Sequence, residues 1–100
     1  MIFYEVTVDV QASIAESYLE WLLEHVREME TFPGFGTAQV YEEQTAPDSI
    51  MRWVIIYPVH SATELEDYFQ NEAPRMREDG LNRFSDQFTA SRRILKPKMR

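Results

Sequence analysis

From Ile2 to Val10 the chain alternates: Ile2, Tyr4, Val6, Val8 and Val10 share one parity, and Phe3, Glu5, Thr7 and Asp9 share the other. A period of two puts the first set on one face of a β-strand, which is therefore strongly apolar. The period then lengthens. Ile14, Tyr18, Trp21, Leu22, Val26 and Met29 recur at helical spacing, with Glu16, Glu20, Glu24 and Glu28 on the opposite side. Glutamates four residues apart repel mildly, so packing of the apolar stripe must hold this helix together. Ser13-Ile14-Ala15-Glu16 has the form of a capping box at its start, and Pro33-Gly34 is a stop signal at its end.

Residues 35–45 and 50–59 read as two strands around the turn-rich Ala46-Pro47-Asp48-Ser49, hence a hairpin. A second capping box, Ser61-Ala62-Thr63-Glu64, opens a helix over 62–71 with Leu65, Tyr68 and Phe69 inward. Pro74 cannot lie deep in that helix but suits the first turn of another, so a shorter helix is expected over 74–84, bent or ended at Gly80. Residues 87–95 give a last strand, and 96–100 read as a frayed tail.

The order is β-α-β-β-α-β within one domain spanning 1–100. Right-handed crossovers fold it into a four-stranded antiparallel sheet of order 4-1-3-2 with the helices on one face, the α+β ferredoxin-like plan. The other face is then bare. Parity places Phe3, Glu5, Thr7 and Asp9 there, joined by Arg52, Val54 and Ile56 from the third strand and Thr89, Ser91, Arg93 and Leu95 from the fourth. A surface with that much apolar area calls for a cover, and a second copy of the same sheet is the simplest one. The expected assembly is a homodimer closed through the open face into an α/β barrel.

Composition narrows the function classes. The chain has 100 residues, no cysteine and a net charge of −7. Thiolate chemistry, disulfides and cysteine-type metal sites are excluded, and a reducing cytoplasm is the simplest expected home. No apolar run is long enough to cross a bilayer, and the strand-like N-terminus does not read as a signal peptide. The negative charge argues against nucleic acid as a partner. It is unevenly spread: residues 1–74 hold 14 acidic against 2 basic side chains, and residues 75–100 hold 3 against 8. Such patches are usually solvated, and capture of an anionic partner by the basic end, Arg92 to Arg100, is the sharper alternative.

The run Ile2 to Val10, Trp21-Leu22-Leu23-Glu24-His25, and the stretch Tyr68-Phe69, Ala73-Pro74, Arg77, Gly80-Leu81, Arg83-Phe84, Phe88 and Arg92-Arg93-Ile94-Leu95 together resemble a bacterial family labelled only as a domain of unknown function. That family is grouped with the dimeric α/β-barrel superfamily, which includes antibiotic-biosynthesis-type monooxygenases, muconolactone isomerases and stress-responsive barrel proteins. The resemblance implies a ferredoxin-like dimer and supplies no activity. Two departures stand out: the family often reads His-Ile-Pro where this chain has His25-Val26-Arg27, and often an amide where Ile56 stands.

Candidate chemistry is sparse. His25 is the natural acid or base near neutral pH, on a helical face shared with Trp21 and Tyr18; the bland alternative is a structural histidine bonded near the sheet rim. Glu5, Arg52 and Arg93 share the open face, where Glu5 could accept a proton and the arginines could hold an anion, unless they simply form ion pairs that set register. The expected catalytic candidates are His25 and Glu5, and the expected ligand set is Trp21, Arg52, Tyr57, Ser91 and Arg93. His60 is expected at the surface. Two histidines without ligand spacing predict no metal site, and three glycines without a phosphate-loop pattern predict no cofactor. The leading functional reading is a homodimeric barrel that binds a small, partly aromatic molecule or a protein partner. The alternative is a cofactor-independent enzyme of the monooxygenase or isomerase kind.

Overall fold

The structure is a computed structural model and describes residues 1–99. Strand β1 spans Ile2–Gln11, helix α1 Ala15–Met29, β2 Gln39–Glu42, β3 Ile50–Val59, α2 Ala62–Asn71, α3 Ala73–Phe84 and β4 Phe88–Leu95. The four strands form one antiparallel sheet in the order β2-β3-β1-β4, which is the expected 4-1-3-2 read from the other edge. Residues 96–99 carry neither helix nor strand, and the tail expectation for Arg100 lies outside the described residues.

Parity sorts the sheet as alternation predicts. Tyr4, Val8 and Val10 of β1 and Trp53, Ile55, Tyr57 and Val59 of β3 are buried beneath the helices. Tyr18, Leu22, Val26 and Met29 of α1, Leu65 and Tyr68 of α2, and Met76 of α3 close the core from above. Burying side chains of this size contributes about 1.5–3 kcal/mol each, which is what overcomes the repulsion along the glutamate side of α1. On the open face Phe3, Val54 and Ile56 stay half-buried, while Tyr41 and Leu95 are exposed.

Local details depart from expectation at three places. β2 is only four residues long; upstream of it the chain runs beside β3 through an isolated bridge, Phe35 to Val59, and a Gly36 N–H bond to the Pro58 carbonyl, one residue out of register with β2. The Ser13 capping box does not form. Gln11 N–H donates to the Gln87 carbonyl and Ala12 N–H to that of Ser49, which turns the chain into a 3-10 turn over Ala12–Ile14 and leaves Ile14 as the N-cap of α1, without a side-chain bond. The Ser61 cap does form, its Oγ accepting from Glu64 N–H at 3.3 Å. Gly80 does not end α3, which runs through it to Phe84.

Candidate functional site

Aromatic side chains divide into two clusters. Around Tyr18 lie Trp21, Phe84 and Phe88, with ring centroids 5.4, 4.9 and 5.1 Å away, and Trp53 stacked at 6.2 Å. Around Tyr4 lie Tyr57, Tyr68 and Phe69 at 5.9, 6.0 and 5.3 Å. Both clusters line one cavity of about 400 Å³ between the sheet and helices α1 and α3. That size falls at the low end of small-molecule sites, which run from about 300 to 1,000 Å³.

Part of the polar lining of this cavity comes from tyrosines. Tyr18, Tyr57 and Tyr68 are buried, yet their hydroxyls take part in none of the side-chain hydrogen bonds among the described residues. No polar side-chain atom is both sealed in and unpartnered. The three hydroxyls therefore open onto the cavity, since a sealed hydroxyl without a partner would be strongly disfavoured. Burial raises the pKa of all three, so they are neutral donors near pH 7. Tyr4 differs: its Oη accepts from the Arg77 guanidinium at 3.3 Å.

His25 lines the same cavity and lies tilted against Trp21, with ring centroids 4.7 Å apart. Burial pushes its pKa below the ordinary imidazole value; the carboxylates of Glu28 and Asp79 pull the other way without reversing the effect. Trp21 is fixed from both sides, its Nε1–H donating to Asp79 Oδ2 at 2.9 Å and its ring edge resting on Gly80. A β-carbon at Gly80 would stand 3.0 Å from the indole and 3.5 Å from Phe88, so glycine is what lets α3 approach the cavity wall.

The sequence-predicted site residues fall on both sides of the sheet. Trp21, Tyr57 and His25 meet at the cavity. Glu5, Arg52, Ser91 and Arg93 lie on the opposite face, and its charges are matched within the chain. Glu5, itself buried, accepts from Arg93 Nε at 2.8 Å, and Arg52 forks onto Asp9 at 2.6 and 3.0 Å and reaches Glu43 at 3.4 Å. That bond holds the Asp9 carboxyl below the usual carboxylate range. His60 is exposed and pairs with Glu64 at 3.0 Å. Sequence reasoning did not single out Arg77 as a site residue and reached Arg92 only as the start of the basic end, although both line the cavity. The signal for Arg92 was present in the alternation Phe88, Ala90, Arg92, Ile94, which puts a cation on the helix-facing side of β4.

The family described as a domain of unknown function (DUF4286) matches residues 1–98. The chain belongs to this family. Among curated proteins, none matches the chain in sequence. Similar solved structures include a candidate antibiotic biosynthesis monooxygenase from Deinococcus radiodurans, 13% identical, covering 100% of this chain and 95% of that one, with a TM-score of 0.77. The heme-degrader MhuD from Mycobacterium tuberculosis, with two hemes bound in its active site, is 14% identical over 100% of this chain and 98% of its own, at a TM-score of 0.72. A dimeric ferredoxin-like protein from an uncultured marine organism is 13% identical over 99% and 96%, at 0.70. At these identities the likeness is one of fold, and the DUF4286 chain shares the antibiotic-monooxygenase-like ferredoxin plan. Among the described residues no helix is long and apolar enough to cross a membrane.

Proposed function

We propose that this DUF4286 chain is a homodimeric barrel protein that binds a small, partly aromatic molecule in the cavity between its sheet and helices. The observation that carries the reading is the pairing of an aromatic-walled cavity with three tyrosine hydroxyls that no group among the described residues engages. Aromatic walls favour a flat ligand by stacking, and unengaged donors orient it. Trp21 and Tyr57 then supply wall contacts and His25 a neutral hydrogen-bonding group. Arg52, Ser91 and Arg93 belong to the proposed dimer face, where the matched charges of Glu5, Asp9, Arg52 and Arg93 surround Phe3, Val54 and Ile56. The dimeric and heme-bound neighbours support the plausibility of both parts by fold analogy alone.

Native mass spectrometry of the protein purified from cells tests both parts together. A dimer carrying extra small-molecule mass, lost on denaturation, is the expected result; a monomer without passenger mass would overturn the reading. A second reading, a cofactor-independent monooxygenase- or isomerase-like enzyme, draws on His25. A neutral imidazole facing an apolar cavity is suited to accept a proton from a bound molecule. Turnover that is lost in His25→Ala while the melting temperature holds would favour it.

A further inference from the structure

The cavity carries two cations that the rest of the molecule leaves unmatched. Among the described residues, Arg27, Arg52, Arg75, Arg83 and Arg93 each meet a carboxylate at 2.6 to 3.3 Å. Arg77 and Arg92 meet none, in a chain with 17 acidic and only 10 basic side chains. They come from different elements, α3 and β4, yet both line the same cavity. Arg77 is held in place, its guanidinium bonded to Tyr4 Oη at 3.3 Å and lying 5.9 Å over the Phe69 ring. Neither contact neutralises its charge. Arg92 stands opposite Val6 on the helix-facing side of β4, close enough to oppose protonation of His25 and to favour ionisation of Tyr18 and Tyr68. Tyr68 lines the cavity with both arginines.

We propose that Arg77 and Arg92 clamp a carboxylate at the mouth of this cavity, so that the ligand is a planar aromatic acid. The rings lie against Trp21, Tyr18 and Tyr57, the carboxylate sits between the two guanidiniums, and the Tyr68 hydroxyl donates a further bond. This rests on the cavity being a ligand site. Guanidinium groups suit carboxylate because their planar forks match its two oxygens and the bonds are charge-assisted. A carboxylate rather than a phosphate is assigned because two side-chain forks and a hydroxyl match two oxygens, whereas the cavity offers no cradle of backbone N–H groups at a glycine-rich loop.

Isothermal titration of the intact protein at pH 7 with 2-naphthoate and with its neutral isostere 2-naphthamide separates the clamp from the cavity. Naphthoate is expected to bind about tenfold more tightly than naphthamide, the low end for a charge-assisted contact at a site open to water. Arg92→Gln, at an exposed strand position, and Arg77→Gln should each remove most of that preference. Equal binding of the two probes by the unaltered protein would overturn the clamp while leaving the cavity as an aromatic ligand site. Binding of neither would overturn both. Tighter binding of 2-naphthyl phosphate than of naphthoate would overturn the carboxylate assignment.

Discussion

The indole of Trp21 rests on the bare Cα of Gly80, where a β-carbon would come within 3.0 Å of the ring. Alanine there would gain about 1 kcal/mol of helical propensity. It would also overpack a ring with little room to retreat, since Asp79 holds the indole N–H at 2.9 Å and the tilted His25 ring lies 4.7 Å away. Overpacking costs about 1–3 kcal/mol. Gly80→Ala is therefore expected to lose about 1 kcal/mol net, with a shift in tryptophan emission. Denaturant unfolding followed by fluorescence checks this, and a stabilised variant with unchanged emission would show that the wall is loose.

The buried position of His25 predicts a specific pH dependence. Its folded-state pKa lies below its unfolded value, so the unfolded chain takes up the proton first as pH falls. The stability associated with neutral His25 is complete above about pH 6.5, the unfolded value, and is lost as pH drops below it. Asp9 and Asp79, with lowered carboxyl pKa values, lose their contribution only in a separate, more acidic range below their ordinary 3.8. Urea midpoints between pH 7.5 and 5 should fall in the native protein and fall less steeply in His25→Gln. Parallel slopes would mean that His25 is hydrated in the folded state.

Two serines with the same sequence signature should respond differently to alanine. Ser61 accepts the Glu64 N–H and caps α2, so Ser61→Ala is expected to cost about 1 kcal/mol. Ser13 sits inside the 3-10 turn that precedes α1, and Ser13→Ala should change stability by less than about 0.5 kcal/mol. Thermal unfolding of the two variants side by side tests the contrast. Equal losses would place the start of α1 at Ser13 after all.

The proposed dimer face makes a further prediction at Val54, which lies opposite Thr7 near the middle of the open sheet. Val54→Asp adds an unmatched charge to a surface whose other charges are already paired. Sedimentation should show the unaltered protein as a dimer and the variant as a monomer at the same concentration. A dimer in both would move the interface off this face.

Alternation and helical spacing made most of the fold legible: the parities of β1, β3 and β4 and the apolar faces of α1 and α2 follow from them, because burial of one face is the dominant constraint on each element. What one dimension could not supply was pairing register. Glu5, Arg52 and Arg93 share a parity, but Glu5 stands opposite Arg93 whereas Arg52 stands opposite Asp9, and this turns an apparent anion site into two separate ion pairs. Gly80 was ambiguous for a related reason. Propensity sees a helix breaker, and only the approach of Trp21 shows why it is there. The site was half legible: Trp21, Tyr57 and His25 meet, but Arg77 reaches the cavity through a packing of α3 against β1 that no local pattern encodes.

The Glu5–Arg93 bond joins residues 88 positions apart, across the pairing of β1 with β4. β1 lies between β3 and β4, so the central strand stays unpaired along one edge until β4 has been made. Closing so long a loop comes before the contacts that reward it, which slows folding relative to a helical bundle of equal length. On the ribosome, a nascent chain ending before Phe88 therefore exposes that edge of β1 and lacks one wall of the cavity. Folding and the capacity to bind are thus expected to appear in a single step, when β4 emerges.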